Sequence, residues 1–97
     1  MSQLQPMSDE QVEAELARLP EWSSVNETIQ RTFQFKTFAQ SMSFVSAIAA
    51  TAEADQHHPD ILIRWNKVTL TFSTHDAGGI THKDFAAAAK ADALGGR

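Results

Sequence analysis

Three imidazoles dominate the chemistry that this 97-residue sequence could perform: His57 and His58 are adjacent, and His75 follows 17 positions later. Histidine titrates near neutral pH, with an ordinary pKa of about 6.5, so it can both give and take a proton. A positioned imidazole typically contributes about 10²–10⁴-fold through general acid–base catalysis. Two carboxylates have the spacing to orient or charge these rings. Glu53 stands one helical turn before His57, close to it if that helix persists, and Asp84 opens a later helix. Three imidazoles and a carboxylate could also hold zinc. Adjacent histidines on an extended segment point to opposite sides, however, and the HExxH spacing is missing, so no metal site is expected. A thiol nucleophile is excluded because the chain has no cysteine. Ser43, Ser46 and Ser73 sit in no nucleophile elbow, and Gly78-Gly79 is an isolated pair rather than a phosphate loop. The same residues also fit plainer roles. A His-His pair suits a surface loop, His75 a turn, Asp84 a helix cap, Glu53 a solvated face, and Trp22 and Trp65 a core.

Whether the imidazoles meet depends on the elements around them. Ile61 to Trp65 reads as a strand, Asn66-Lys67 as a tight turn, and Val68, Leu70 and Phe72 alternate with Thr69, Thr71 and Ser73 as the next strand. If these two strands form a hairpin, the residues before the first and after the second lie at one end. Topology alone then gathers His57, His58 and His75. Before them, Thr37 caps a helix whose Phe38, Met42, Val45, Ile48 and Ala52 make an apolar face. That helix ends near Asp55, because Pro59 disfavours helical geometry at His58. After them, His75 to Ile80 is a glycine-containing loop. Thr81 then caps a last helix, with Asp84 in a capping-box-like position, and Gly95-Gly96 ends it.

Upstream, Ser8 and Gln11 have capping-box spacing for a first helix with Val12, Leu16 and Leu19 as its stripe, stopped by Pro20. Trp22 to Val25 and Ile29 to Phe35 read as two strands joined at Asn26-Glu27; only Arg31 interrupts the apolar parity of the second. The order is α-β-β-α-β-β-α, an α+β fold with a four-stranded antiparallel sheet and helices on one face. Residues 1–7 read as a flexible tail and 8–97 as a single domain, since 97 residues have no room for a second core.

Composition narrows the partners. Eight basic against twelve acidic residues leave a net charge of −4 with no basic stripe, so direct nucleic-acid binding is not expected. No stretch approaches 18 uninterrupted apolar residues, and MSQLQPMSDE lacks the basic and apolar regions of a signal peptide. A cytoplasmic protein is the expectation. The small and apolar residues of the helix after Thr37, including Ala39, Ser43, Ala47 and Ala50, would be a liability if exposed; oligomerisation through a helix or a sheet edge follows.

Glu53, three residues, His57-His58-Pro59, five residues, Trp65, nine residues, His75, eight residues, Asp84 is a pattern that resembles the pterin-4a-carbinolamine dehydratase family. The segment QHHPDILIRWNKVTLTFSTHDAGGIT resembles that family's central stretch, and EWSSVNETIQRTFQFKTFAQSMSFV is similar to the part before it. The likeness covers about residues 8 to 93 and agrees with the element order above. DILIRW, where relatives commonly carry aromatics, and DAGG after His75 are modest departures. The resemblance implies a hydro-lyase that removes water from 4a-hydroxytetrahydropterin to give quinonoid dihydropterin, recycling the pterin after aromatic amino-acid hydroxylation. It implies catalysis by His57, His58 and His75 with neither metal nor organic cofactor. His57 and His75 take acid–base roles and His58 positions the substrate. Glu53 and Asp84 would support the imidazoles, and Trp22 and Pro59 would line the substrate pocket. It further implies a homodimer or homotetramer and a pathway link to an aromatic amino-acid hydroxylase. Two alternatives accompany it: a non-catalytic dimerisation or coactivator-binding module, and a role in molybdopterin metabolism.

Overall fold

A computed structural model describes residues 5–95. Helix α1 spans Asp9–Leu16, strands β1 Ser23–Val25 and β2 Thr28–Gln34, helix α2 Phe38–Asp55, strands β3 Asp60–Arg64 and β4 Lys67–Phe72, and helix α3 His82–Gly95. A 3₁₀ turn at His75–Ala77 breaks the loop after β4. The sheet runs β1-β2-β4-β3 with every pair antiparallel. Each hairpin expected from the alternation is present. Gly96 and residues 1–4 lie outside the described residues.

The capping chemistry explains where the helices start. Ser8 Oγ accepts from the Gln11 amide while Gln11 Oε1 accepts from the Ser8 amide, closing a capping box. Thr37 Oγ1 accepts from the Gln40 amide. Met7, inside the stretch read as tail, donates its amide to Ile80 O at 2.7 Å and packs against the core.

Ile29 and Phe33 from β2 and Val68, Leu70 and Phe72 from β4 bury one sheet face under Val12, Phe44, Ile48, Phe85 and Ala88 from the helices. Along β2 and β4 the other face is polar, with the Thr32 and Thr69 hydroxyls meeting at 2.7 Å, while Leu62 of β3 lies exposed on it beside Thr69. Arg31 shares the core parity of Ile29 and Phe33. Its guanidinium carbon sits 4.2 Å from the Phe33 ring centroid and its Nη1 donates to Asp92 Oδ1 at 2.7 Å, so the break in alternation is filled by a cation–π contact and an ion pair.

Three expectations are corrected. In α2 the buried side is Ser41, Phe44, Ile48 and Ala52, whereas Phe38 and Met42 are exposed. Phe44 wins because it can pack, with its ring tilted, against both Phe33 and Phe35, at centroid distances of 4.6 and 5.1 Å. The β3–β4 turn is Trp65-Asn66 rather than Asn66-Lys67, since Arg64 pairs with Lys67. Trp65 takes positive φ there and is exposed, so it is no core residue.

Candidate active site

His57 is aimed by the way α2 stops. Gln56 adopts the left-handed conformation, φ 53° and ψ 42°, and the His57 amide reaches back to Ala52 O at 3.1 Å. This closure ends the helix and turns the chain inward. The His57 ring lies nearly parallel to Phe72, 9° between planes and 6.0 Å between centroids. Its Nε2 meets Asp84 Oδ1 at 2.6 Å. On the core side, His57, Pro59, Phe72, Ala52 and Ala91 close around a cavity of about 10 Å³, barely the space of one water. A ligand must reach the ring from the solvent side.

Asp84 is fully buried at 0% exposure. Burying a carboxylate is costly unless its oxygens are bonded, and here both are. Oδ2 accepts from the Thr81 amide and from Thr74 Oγ1, each at 2.9 Å, while Oδ1 takes His57. Asp84 is therefore a helix-capping residue and a histidine partner at once. As a carboxylate it only accepts. The His57 Nε2 then carries a proton, and whenever the ring holds only that one its Nδ1 keeps a lone pair for chemistry.

The other two imidazoles are exposed. His58 Nε2 meets Glu53 Oε2 at 2.6 Å, with both side chains largely in solvent. The helix does not persist to His57: the turn at Gln56 swings His57 inward and leaves His58 over Glu53. His75 opens the 3₁₀ turn directly after Thr74. That turn hangs on Thr74, whose carbonyl accepts from Ala77 and Gly78 at 3.1 Å and whose amide donates to Gly79 O at 3.0 Å. His75 is thus one residue from a side chain bonded to Asp84, the partner of His57. The hairpin places all three at one end of the sheet, as the topology requires. His82, the first residue of α3, is exposed.

Trp22 does not line this end. It is 3% exposed, packed on Phe33 and Phe72, with its Nε1 donating to Asp92 Oδ1 at 2.8 Å. No face of its indole is left for a flat ligand, and its plainer reading as core is the one that holds. Thr74 and Phe72 were absent from the sequence-based set. Phe72 carried only its strand parity as a signal, and Thr74, two residues beyond the end of β4, carried none. Among the described residues no group of three or more potential metal ligands is clustered, and no helix is long and apolar enough to cross a membrane.

Comparison with known proteins matches residues 5–94 to the family described as Pterin 4 alpha carbinolamine dehydratase. A relative from Picosynechococcus sp., provisionally named a pterin-4-alpha-carbinolamine dehydratase, is 49% identical over 88 residues, covering 91% of this chain and 96% of its own. One from Chloroflexus aurantiacus with the same provisional name is 48% identical over 90 residues, covering 93% and 97%. A crystal structure from Brucella melitensis, described as a transcriptional coactivator/pterin dehydratase, is similar with a TM-score of 0.89 and 32% identity over 93% of this chain and 98% of that one. A pterin dehydratase-like protein described as a RuBisCO assembly factor in the alpha-carboxysome has a TM-score of 0.63 and 28% identity over 75% and 84%.

Proposed function

The chain belongs to the pterin-4-alpha-carbinolamine dehydratase family, and from that membership and its histidine end we propose that it dehydrates 4a-hydroxytetrahydropterin to quinonoid dihydropterin plus water. The observation that carries this reading is the buried Asp84 bonded to His57, with His75 held one residue from Thr74 on the same network. Elimination needs two proton movements: N5 gives up a proton, and the 4a-hydroxyl leaves with one. His57, its Nε2–H held by Asp84, offers Nδ1 as the base toward N5. His75, exposed across the same end, supplies the proton to the departing hydroxyl. His58, paired with Glu53 at the surface, positions the substrate. Pterin cofactor recycling in the cytoplasm, in step with an aromatic amino-acid hydroxylase, is the setting that fits this reaction. The experiment is a rapid assay on freshly generated 4a-hydroxytetrahydropterin, with the uncatalysed rate subtracted. A large enhancement supports the reading, and none from a folded protein refutes it.

Assembly belongs to the same proposal. Phe38 and Met42 on the outer side of α2, and Ile61, Leu62 and Trp65 along and beyond the edge strand β3, are exposed. Trp65 is 68% exposed. Apolar groups clustered on a helix face and a sheet edge suit a homodimer or homotetramer. Sedimentation that finds only monomer at micromolar concentration refutes it. The same surfaces favour a second reading, a binding module like the assembly factor and coactivator among the similar structures. A protein with wild-type assembly and no rate enhancement selects it.

A further inference from the structure

The donors around Asp84 can be counted, and the count singles out one hydroxyl. Thr74 Oγ1 lies 2.8 Å from Thr81 Oγ1 and 2.9 Å from Asp84 Oδ2. A hydroxyl has one proton to give. Thr74 must spend it on the carboxylate, which has none, so Thr81 donates to Thr74. Thr81 Oγ1 in turn accepts from the Lys83 amide at 3.2 Å. Every proton in the chain therefore points toward Asp84, from Lys83 through Thr81 to Thr74. With both Oδ2 contacts in place, rotation of the carboxylate is blocked and Oδ1 faces His57. The same Thr74 anchors, through its backbone, the 3₁₀ turn that begins at His75.

We propose that Thr74 is the positioning residue of this site: its hydroxyl locks Asp84 onto His57 while its backbone fixes the turn presenting His75, so one residue sets the relation between the two imidazoles. The kinetic side of this inference rests on the dehydratase reading; the structural side does not.

The test compares wild type, Thr74→Val, which keeps the shape and removes the donor, and Thr74→Ser, which restores it. The kcat for dehydration should fall about tenfold in Thr74→Val, with KM within about twofold, and return to within about threefold of wild type in Thr74→Ser. In ¹⁵N-edited NMR spectra of the substrate-free proteins, the His57 Nε2–H should exchange with solvent at least about tenfold faster in Thr74→Val. The amides of Val68 and Leu70 in β4 should be unchanged. A folded Thr74→Val with wild-type kcat and wild-type Nε2–H exchange overturns the proposal, as does a Thr74→Ser that behaves like Thr74→Val. If Thr74→Val does not fold, Thr74→Cys, with its weaker donor, carries the comparison: intermediate kcat and exchange support the role, and wild-type values overturn it. Should the wild type show no dehydration at all, the dehydratase reading fails, and the exchange comparison alone still decides the role of Thr74.

Discussion

Replacing Asp84 by asparagine should disable His57 without emptying the site. The Thr81 amide and the Thr74 hydroxyl both need an acceptor where Oδ2 now lies, so the new amide oxygen must occupy that position. Its NH₂ group then faces His57 Nε2 across the 2.6 Å contact. Two donors cannot meet there, and the neutral ring must move its proton to Nδ1 and accept at Nε2. The lone pair offered to the substrate disappears. A general base is worth about 10²–10⁴-fold, so Asp84→Asn should lower kcat by at least about 100-fold, or about 2.7 kcal/mol. Three charge-assisted bonds also become neutral ones, each weaker by about 1 kcal/mol. The relief of no longer burying a charge offsets part of that loss. A net destabilisation of about 2 kcal/mol, roughly 8–16 °C in Tm, is expected. Calorimetry establishes the folded fraction, and the pterin dehydration assay follows the rate at a temperature where the variant is folded. A folded Asp84→Asn with kcat within about threefold of wild type would refute the argument that Asp84 sets the protonation of His57.

Three further substitutions separate core from site. Trp22→Phe removes the indole donor to Asp92, while Arg31 remains bonded to that carboxylate; stability should fall by about 1–2 kcal/mol in urea unfolding with KM unchanged, and a raised KM would return Trp22 to the pocket. Phe33→Ala, at the centre of the aromatic cluster with Trp22 and Phe44, should cost about 3–5 kcal/mol by the same measurement. Glu53→Gln removes the charge from a contact that lies mostly in solvent; unfolding should shift by less than about 1 kcal/mol, and a larger shift would mean the pair is not merely a surface one.

The end of the sheet where the three histidines gather was legible because it depends on topology, and topology on strong local signals. Val68, Leu70 and Phe72 alternate cleanly, and they are the residues buried in β4. Ser8 and Thr37 announce their helices through short-range bonds that the sequence spells out. The face of α2 was not legible. Phe38, Met42, Phe44, Val45, Ile48 and several alanines leave that helix apolar on most sides, so periodicity cannot choose. The choice is made by Phe33 and Phe35, which are distant in sequence. The partner of Glu53 was missed because it depends on the left-handed Gln56, a conformation that a glycine announces and a glutamine does not. Thr74 was missed for a related reason. A buried hydroxyl takes its meaning from what lies 2.9 Å away, and Asp84 comes ten residues later.

The proposed mechanism has His57 and His75 act as an acid–base pair on a 4a-hydroxytetrahydropterin. Its most direct test is the dehydration rate of the wild type beside His75→Ala, measured at neutral pH with the uncatalysed reaction subtracted. His75 is exposed and lies in a turn held by backbone bonds of Thr74, so its truncation should leave the fold intact. A large wild-type enhancement should fall by at least about tenfold, or about 1.4 kcal/mol of transition-state stabilisation, in the variant. A wild type no faster than the uncatalysed reaction, or a variant as fast as the wild type, would contradict it.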